Sequence, residues 1–211
     1  MEIDCNNLSV IEGYIENILS RTHFYEIKKK HFLTKLMQAL QMINQDNIIF
    51  NAEKRIAFND KKIEVFLRQC IVKNIPFEIA FNVNAVYDYL KINKYSMAQV
   101  DTSAFKNYFT KSDIKNLLDE NKMNNALMNC YGNHFEYRRS LPIIALGTLN
   151  VGMFDGTIIN GNHRMAGKIS SDENTVTMYL VDCTNRIPNE FFLNDDYRKI
   201  VHVVNSLNEL N

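Results

Sequence analysis

Residues 160–164, Asn-Gly-Asn-His-Arg, have the types and the spacing in this sequence that could do chemistry. They follow the short apolar segment 157–159, which is typical of a strand, and residues 163–169 are typical of the opening of a helix. A strand that ends in a glycine turn and enters a helix directs free backbone N–H groups and the positive end of the helix dipole at one point. The sequence therefore predicts an anion site at this turn, suited to an oxyanion or a phosphate.

The side chains of this turn suit the same chemistry. Arg164 supplies a planar guanidinium that can pair with phosphate or carboxylate, and His163 supplies a hydrogen-bond donor or a general base. Asn162 can cap the helix or place its amide on a ligand. A purely structural interpretation fits the same residues: Asn162 caps the helix, His163 packs, and Arg164 pairs with a surface carboxylate. Both interpretations stay open at the level of the residues.

A phosphotransferase also needs a carboxylate near the phosphate site, as a base or to hold Mg²⁺. The candidates are Asp155 in a predicted Asp-Gly hairpin turn, Glu136 in the polar segment 134–139, and Asp182 after a predicted strand. Each also fits a plain structural role, in a turn, a surface loop or a strand end. With His163, we take Asp155 and Glu136 as the candidate catalytic residues.

Residues 159–167, Ile-Asn-Gly-Asn-His-Arg-Met-Ala-Gly, resemble the signature of the ParB/sulfiredoxin-like superfamily. Members carry an I-[DN]-G-x-[HR]-R-x-x-A turn between a strand and a helix, and this turn binds nucleotide phosphates. The resemblance covers roughly residues 112–185 and implies a nucleotide ligand (ATP, ADP or CTP, with Mg²⁺) held by Asn160, Gly161, Asn162, His163 and Arg164. Its alanine position is occupied by Gly167 here.

The departures from this family narrow the expected activity. Sulfiredoxins have their catalytic cysteine where this chain has Asn162, so we do not expect sulfinic acid reduction. Partition proteins that hydrolyse CTP have glutamate and arginine where this chain has Asn162 and His163. The His-Arg pair resembles that of small nucleotide-using enzymes, among them free-serine kinases. If the protein is an enzyme, we expect a small-molecule phosphotransferase or an NTP hydrolase.

The elements that must position the turn follow from glycine spacing and apolar periodicity. Six of the seven glycines come after residue 131, so we expect mainly helices before that point and strands and turns after it. Apolar stripes predict helices over about 11–19, 32–43, 60–71, 101–109, 112–118 and 195–209. Strands are predicted at 142–146, 157–159 and 175–181, and segment 77–90 fits either a strand or a helix.

These elements predict an α+β protein with two parts that pack together. We expect residues 1–111 to form a helical region of unassigned role and residues 112–211 to form a small mixed-sheet domain with a closing C-terminal helix, which the resemblance implies is of the ParB/sulfiredoxin-like type. The length of 211 residues suits this arrangement and can bury a sizeable core.

Charge balance bears on the partners. The 24 basic and 24 acidic side chains cancel, which argues against a broad cationic surface for nucleic acid but not against a local patch. The run Lys28-Lys29-Lys30 is such a candidate, although a solvated helix face explains it as well. It supports the alternative function, a DNA- or protein-binding module of a plasmid or phage system that acts through the N-terminal helices without catalysis.

Other sequence features exclude several classes of protein. The four cysteines and five histidines form no metal-binding motif, so no metal site is predicted. The sequence contains neither a secretory signal nor an apolar run of about 20 residues. We therefore expect a cytoplasmic protein without a membrane segment, and the pattern leaves its oligomeric state open.

Overall fold

The computed structural model describes residues 6–48, 63–72, 75–106, 109–119, 142–147, 157–182 and 187–209. These residues combine helices with two small sheets, which confirms the predicted α+β class. The chain forms two compact units that interleave along the sequence. The described residues of the first unit are 6–48, 67–72, 75–81 and 192–209, and those of the second are 63–66, 82–106, 109–119, 142–147, 157–182 and 187–191.

Helices and strands are interspersed along the described residues. The helices are α1 (Asn6–Arg21), α2 (Ile27–Gln41), α3 (Val83–Ile92), α4 (Ser103–Lys106), α5 (Lys111–Leu117), α6 (Asn162–Ser170) and α7 (Asp195–Glu209). The strands are β1 (Val65–Val72), β2 (Ile75–Asn82), β3 (Ala98–Asp101), β4 (Ile143–Gly147), β5 (Ile158–Asn160) and β6 (Thr175–Asp182). Single 3₁₀ turns occur at Gln45–Asn47 and Asn189–Phe191.

The first unit is built on a helical core. Both α1 and α7 contact α2, and each of the three helices turns an apolar stripe inward. Burial of one such aliphatic side chain stabilises the fold by about 1.5–3 kcal/mol. The bounds predicted for the closing helix agree with those of α7, and its predicted face is buried. The buried residues of the three stripes are Leu8, Ile11, Ile15, Leu33, Leu36, Met37, Leu40, Tyr197, Ile200, Val201, Val204 and Leu207.

The second unit contains a four-stranded mixed sheet in the order β3-β6-β4-β5. β4 pairs with β6 in parallel and with β5 antiparallel, and β3 pairs with β6 antiparallel. The strands predicted at 142–146, 157–159 and 175–181 correspond to β4, β5 and β6. Helix α6 covers one face of this sheet by burying Met165 and Ile169 in the same cluster as Ile143 and Ala145 of β4.

The helix predicted over residues 60–71 is wrong where the structure describes it. Residues Val65–Val72 form β1, which pairs with β2, and Pro76 lies inside β2. A short apolar run fits both a strand and a helix, and here strand pairing decides between them. A two-stranded sheet leaves one side of each strand open, where a proline without an N–H costs little. The ambiguous segment 77–90 contains both elements, the end of β2 and most of α3.

Tertiary pairing also assigns residues differently from the predicted boundary at residue 111. Strand β3 precedes that boundary, yet it extends the sheet formed by β4, β5 and β6. Helix α7 follows the boundary, yet it belongs to the unit of α1 and α2. Each unit therefore combines segments from both sides of residue 111.

Candidate functional site

The turn between β5 and α6 is built around Gly161. Its backbone has φ 94° and ψ 22°, in the left-handed region that side chains disfavour. A Cβ placed on Gly161 would lie 2.7 Å from Cγ1 and 3.2 Å from Cα of Ile143, and 2.9 Å from Nη2 of Arg164. Both the backbone angle and the close approach of β4 therefore require glycine, as the sequence motif predicts.

The start of α6 has no side-chain cap. Gly161 occupies the N-cap position and has no side-chain oxygen that could accept from the first turn. The first helical bond runs from the Met165 N–H to the Gly161 carbonyl at 2.9 Å, so the helix gives no acceptor to the N–H groups of Asn162, His163 and Arg164. The first turn also contains no acidic residue. The positive end of the helix dipole thus has the cationic side chain of Arg164 in its first turn, where an acidic residue would be favoured.

Asn162 does not cap the helix, in contrast to one of its two predicted roles. It occupies the first position of α6, and its side-chain Nδ2 donates to the carbonyl of Ile158 at 3.3 Å. This bond ties the first residue of the helix back to the strand before it. The Asn162 amide therefore stabilises the turn and does not block the N–H groups at the helix start.

His163 is held by helix α5. Its Nδ1 lies 2.7 Å from the carbonyl oxygen of Leu117, and because a carbonyl only accepts, Nδ1 must carry a proton. In the neutral ring this leaves Nε2 as a base with a free lone pair. Helix α5 begins with a capping box, in which Thr110 and Asp113 bond each other reciprocally, and the pKa of Asp113 is lowered by the Thr110 hydroxyl. The His163 ring is half-buried, and the bond to Leu117 fixes its tautomer and its orientation.

Arg164 folds back over the turn. The contact of its Nη2 with the site of a Gly161 Cβ places the guanidinium beside the helix start, and Nη2 also makes a long contact of 3.5 Å to the Pro142 carbonyl. First-turn side chains point toward the N-terminus of their own helix, which explains this direction. The guanidinium charge and the free N–H groups of α6 consequently face the same region.

Tyr87 on α3 joins these groups, although no motif in the sequence marks it. Its hydroxyl donates to the Pro142 carbonyl at 2.8 Å and accepts from Nδ2 of Asn160 at 2.7 Å. Burial raises the pKa of Tyr87 to about 12, which the Asn160 bond and the Arg164 charge oppose and the Glu64 charge reinforces. Tyr87 therefore stays neutral and connects α3, the start of β4 and the end of β5.

The same interactions identify Glu64 as a carboxylate near the site. Its charge contributes to the raised pKa of Tyr87. Its backbone is fixed on α3, because the Glu64 N–H donates to Oδ1 of Asn84 at 2.8 Å and its carbonyl accepts from the Val83 N–H at 3.0 Å. No sequence motif singled it out, since 100 residues separate it from Arg164 along the chain.

The structure treats the predicted carboxylates unequally. Asp155 and Glu136 lie outside the described residues. Asp182 pairs with Gly147 at the far end of β4, whereas the site lies at Ile143, the first residue of that strand. Four residue steps of strand separate these ends by about 13 Å. Asp182 is therefore remote from the turn, and the structure brings together Asn160, Gly161, Asn162, His163 and Arg164.

The described residues lack two other kinds of functional feature. They contain no group of three or more His, Cys, Asp or Glu side chains that could hold a metal ion. None of their helices is both long enough and apolar enough to cross a membrane. No protein-family model, curated protein or solved structure matches the chain. The function of the α6 site is therefore inferred from its own geometry and charge.

Proposed function

We propose that the start of α6 binds the phosphate groups of a nucleotide. One observation carries the proposal: an uncapped helix start, with no acid in its first turn, has an arginine guanidinium folded over its glycine turn. The positive end of the helix dipole and the guanidinium repel each other here, and a bound anion attracts both and so offsets their repulsion. Phosphate suits the pair, because it accepts from several N–H donors at once.

The side chains divide the work in this proposal. Arg164 neutralises phosphate charge, and its Nη2 lies 3.5 Å from the Pro142 carbonyl, the group to which Tyr87 also donates. His163 presents Nε2 to the ligand, because Leu117 occupies Nδ1. Protonated, Nε2 donates to a phosphate oxygen, and unprotonated, it serves as a base. Asn160 shapes the turn through its bond to Tyr87.

Turnover is the finer part of the proposal. A kinase or an NTP hydrolase needs a group that orients or activates the attacking oxygen, and often a carboxylate for Mg²⁺. Within the described residues, Glu64 is a carboxylate whose charge acts on this network, and His163 is a base fixed beside the turn. We assign phosphate binding to Arg164 and the helix start, and proton transfer to His163.

Calorimetry on the full chain tests the binding step. We expect one of ATP, ADP, CTP and GTP, each titrated with Mg²⁺, to bind, and inorganic triphosphate to compete for the same site. Arg164→Ala should weaken binding at least tenfold, since charge-assisted phosphate bonds contribute about 1.5–3 kcal/mol each. Arg164→Lys should retain part of the affinity, because it keeps the charge but loses the planar fork.

Arg198→Ala is the matched control. Arg198 is also an arginine in the first turn of a helix, but its guanidinium pairs with Asp195 and it belongs to the other unit. We expect nucleotide affinity to be unchanged in this variant. If no nucleotide or triphosphate binds, or if Arg164→Ala binds as tightly as the parent protein while folded by circular dichroism, the proposal is wrong.

A further inference from the structure

The link between α1 and α2 exposes large apolar side chains. Phe24 is 85% exposed, Tyr25 is 79% exposed, and Ile27 is 65% exposed. These three residues are not part of the apolar stripe by which α2 packs. The buried residues of that stripe are Leu33, Leu36, Met37 and Leu40. Exposed apolar groups that lie together, unlike scattered single ones, mark a surface that binds something.

The backbone of this link is fixed by hydrogen bonds. The Glu26 N–H donates to the His23 carbonyl at 3.0 Å, and the His23 N–H donates to Oε2 of Glu26 at 3.0 Å. The Lys30 N–H then donates to the Glu26 carbonyl at 3.0 Å and continues into α2. The exposed rings therefore project from an ordered turn, which reduces the entropy lost when a partner binds.

The rings are already arranged for stacking. The His23 and Tyr25 rings stack with centroids 5.3 Å apart and planes 9° from parallel. Because Tyr25 remains 79% exposed in this stack, its other face is open to a further flat group. A nucleic-acid base has a π-face that stacks in this way whatever its identity.

The charge around the rings is positive. Among residues 21–31, four cationic side chains (Arg21, Lys28, Lys29 and Lys30) accompany the single carboxylate of Glu26. Glu26 lies 3.7 Å from Lys29 and thus offsets one of the four charges. This local excess contrasts with the zero net charge of the whole chain. It complements a phosphate backbone.

We infer that Phe24, Tyr25, Ile27, Lys28 and Lys29, here called the aromatic–lysine patch, bind single-stranded nucleic acid. Bases stack on Tyr25 and Phe24 while the lysines contact the phosphates between them. A single strand is favoured over a duplex, because only unpaired bases offer their faces to side chains. The residues of this patch belong to a different unit from Arg164 of the proposed nucleotide site.

Fluorescence anisotropy with labelled 20-mers of dT and rU tests this inference on the full chain. Tyr25→Ala should weaken binding about five- to a hundredfold, the loss expected for one base stack. Tyr25→Trp should restore it. Replacing Lys28 and Lys29 by glutamine should weaken binding further and flatten its salt dependence.

Two variants serve as controls for the oligonucleotide experiment. Met42→Ala removes another exposed apolar side chain, 70% exposed beyond the end of α2, and should bind the oligonucleotides unchanged. Arg164→Ala should also bind unchanged. The inference is overturned if the parent protein binds neither 20-mer, or if Tyr25→Ala binds as well as the parent. It is equally overturned if binding depends on Arg164 rather than Tyr25, or if only phosphatidylserine vesicles bind the patch.

Discussion

Gly161 is the residue on which the geometry of the turn depends most directly. Gly161→Ala puts a Cβ 2.7 Å from the Ile143 side chain and forces alanine into a left-handed backbone. We expect the free energy of unfolding to fall by about 1–3 kcal/mol. Urea denaturation followed by circular dichroism measures this change, and calorimetry should show weaker nucleotide binding.

Gly13 offers a control for that substitution. It lies in the exposed middle of α1, where an added Cβ meets no atom within 4 Å. Gly13→Ala should therefore stabilise the protein by about 0.5–1 kcal/mol, because alanine favours the helix. If both alanines change stability equally, the conformational requirement assigned to Gly161 is wrong.

Tyr87 makes stability depend on alkaline pH. Its folded pKa of about 12 lies above the ordinary value of 10.0, so the folded state holds the phenol proton more tightly. The stabilisation that comes from this raised pKa is complete below pH 10 and is lost as the pH rises toward 12. Tyr87→Phe should cost about 1–3 kcal/mol near neutrality, because it strands the Asn160 amide and the Pro142 carbonyl.

Urea denaturation at pH 8 and at pH 11 measures that difference. The gap in unfolding free energy between the parent and Tyr87→Phe should shrink at the higher pH. Tyr25→Phe provides the comparison. Because Tyr25 is exposed, the unfolding free energy of this variant should equal that of the parent at pH 8 and at pH 11. A gap that stays constant between the two pH values would contradict the role given to the Tyr87 proton.

Helix α3 positions Tyr87, and its own start depends on Asn82. The Asn82 side chain is the N-cap and accepts from the Ala85 N–H at 3.1 Å. Asn82→Ala should destabilise the protein by about 1 kcal/mol, whereas Asn82→Asp should keep the cap. Thermal unfolding compares the two variants, and equal midpoints would show that the cap contributes nothing.

Elements could be predicted where one periodicity dominates the sequence. Helix α7 repeats Ile200, Val204 and Leu207 at helical spacing, and β4 is a short apolar run after a proline, so both were identified correctly. The sequence of β1 predicts a helix instead, because its apolar residues recur at helical spacing. Only its pairing with β2, a contact that no local pattern encodes, distinguishes the strand from a helix.

The candidate site likewise depends on contacts between distant residues, which no local sequence pattern encodes. Residues 160–164 are consecutive, so their types predict the glycine turn that the structure contains and suggest the phosphate binding that we propose for it. Tyr87 lies 55 residues from Pro142 and 73 from Asn160, and only the fold brings its hydroxyl to both. Local motifs thus identify the groups that could contact a ligand, whereas the groups that hold them in place require tertiary structure.

Total charge and local charge lead to the last prediction. A chain with zero net charge cannot attract a phosphate backbone through its overall field, so any oligonucleotide binding must come from a small cationic surface. If Lys28 and Lys29 each neutralise one phosphate, the logarithm of the binding constant for a single strand should fall with the logarithm of salt at a slope of about −1.4. Anisotropy titrations across a series of NaCl concentrations measure this slope. A slope near zero would mean that the lysines contact no phosphate, and a slope several times steeper would require a cationic surface much larger than residues 21–31 provide.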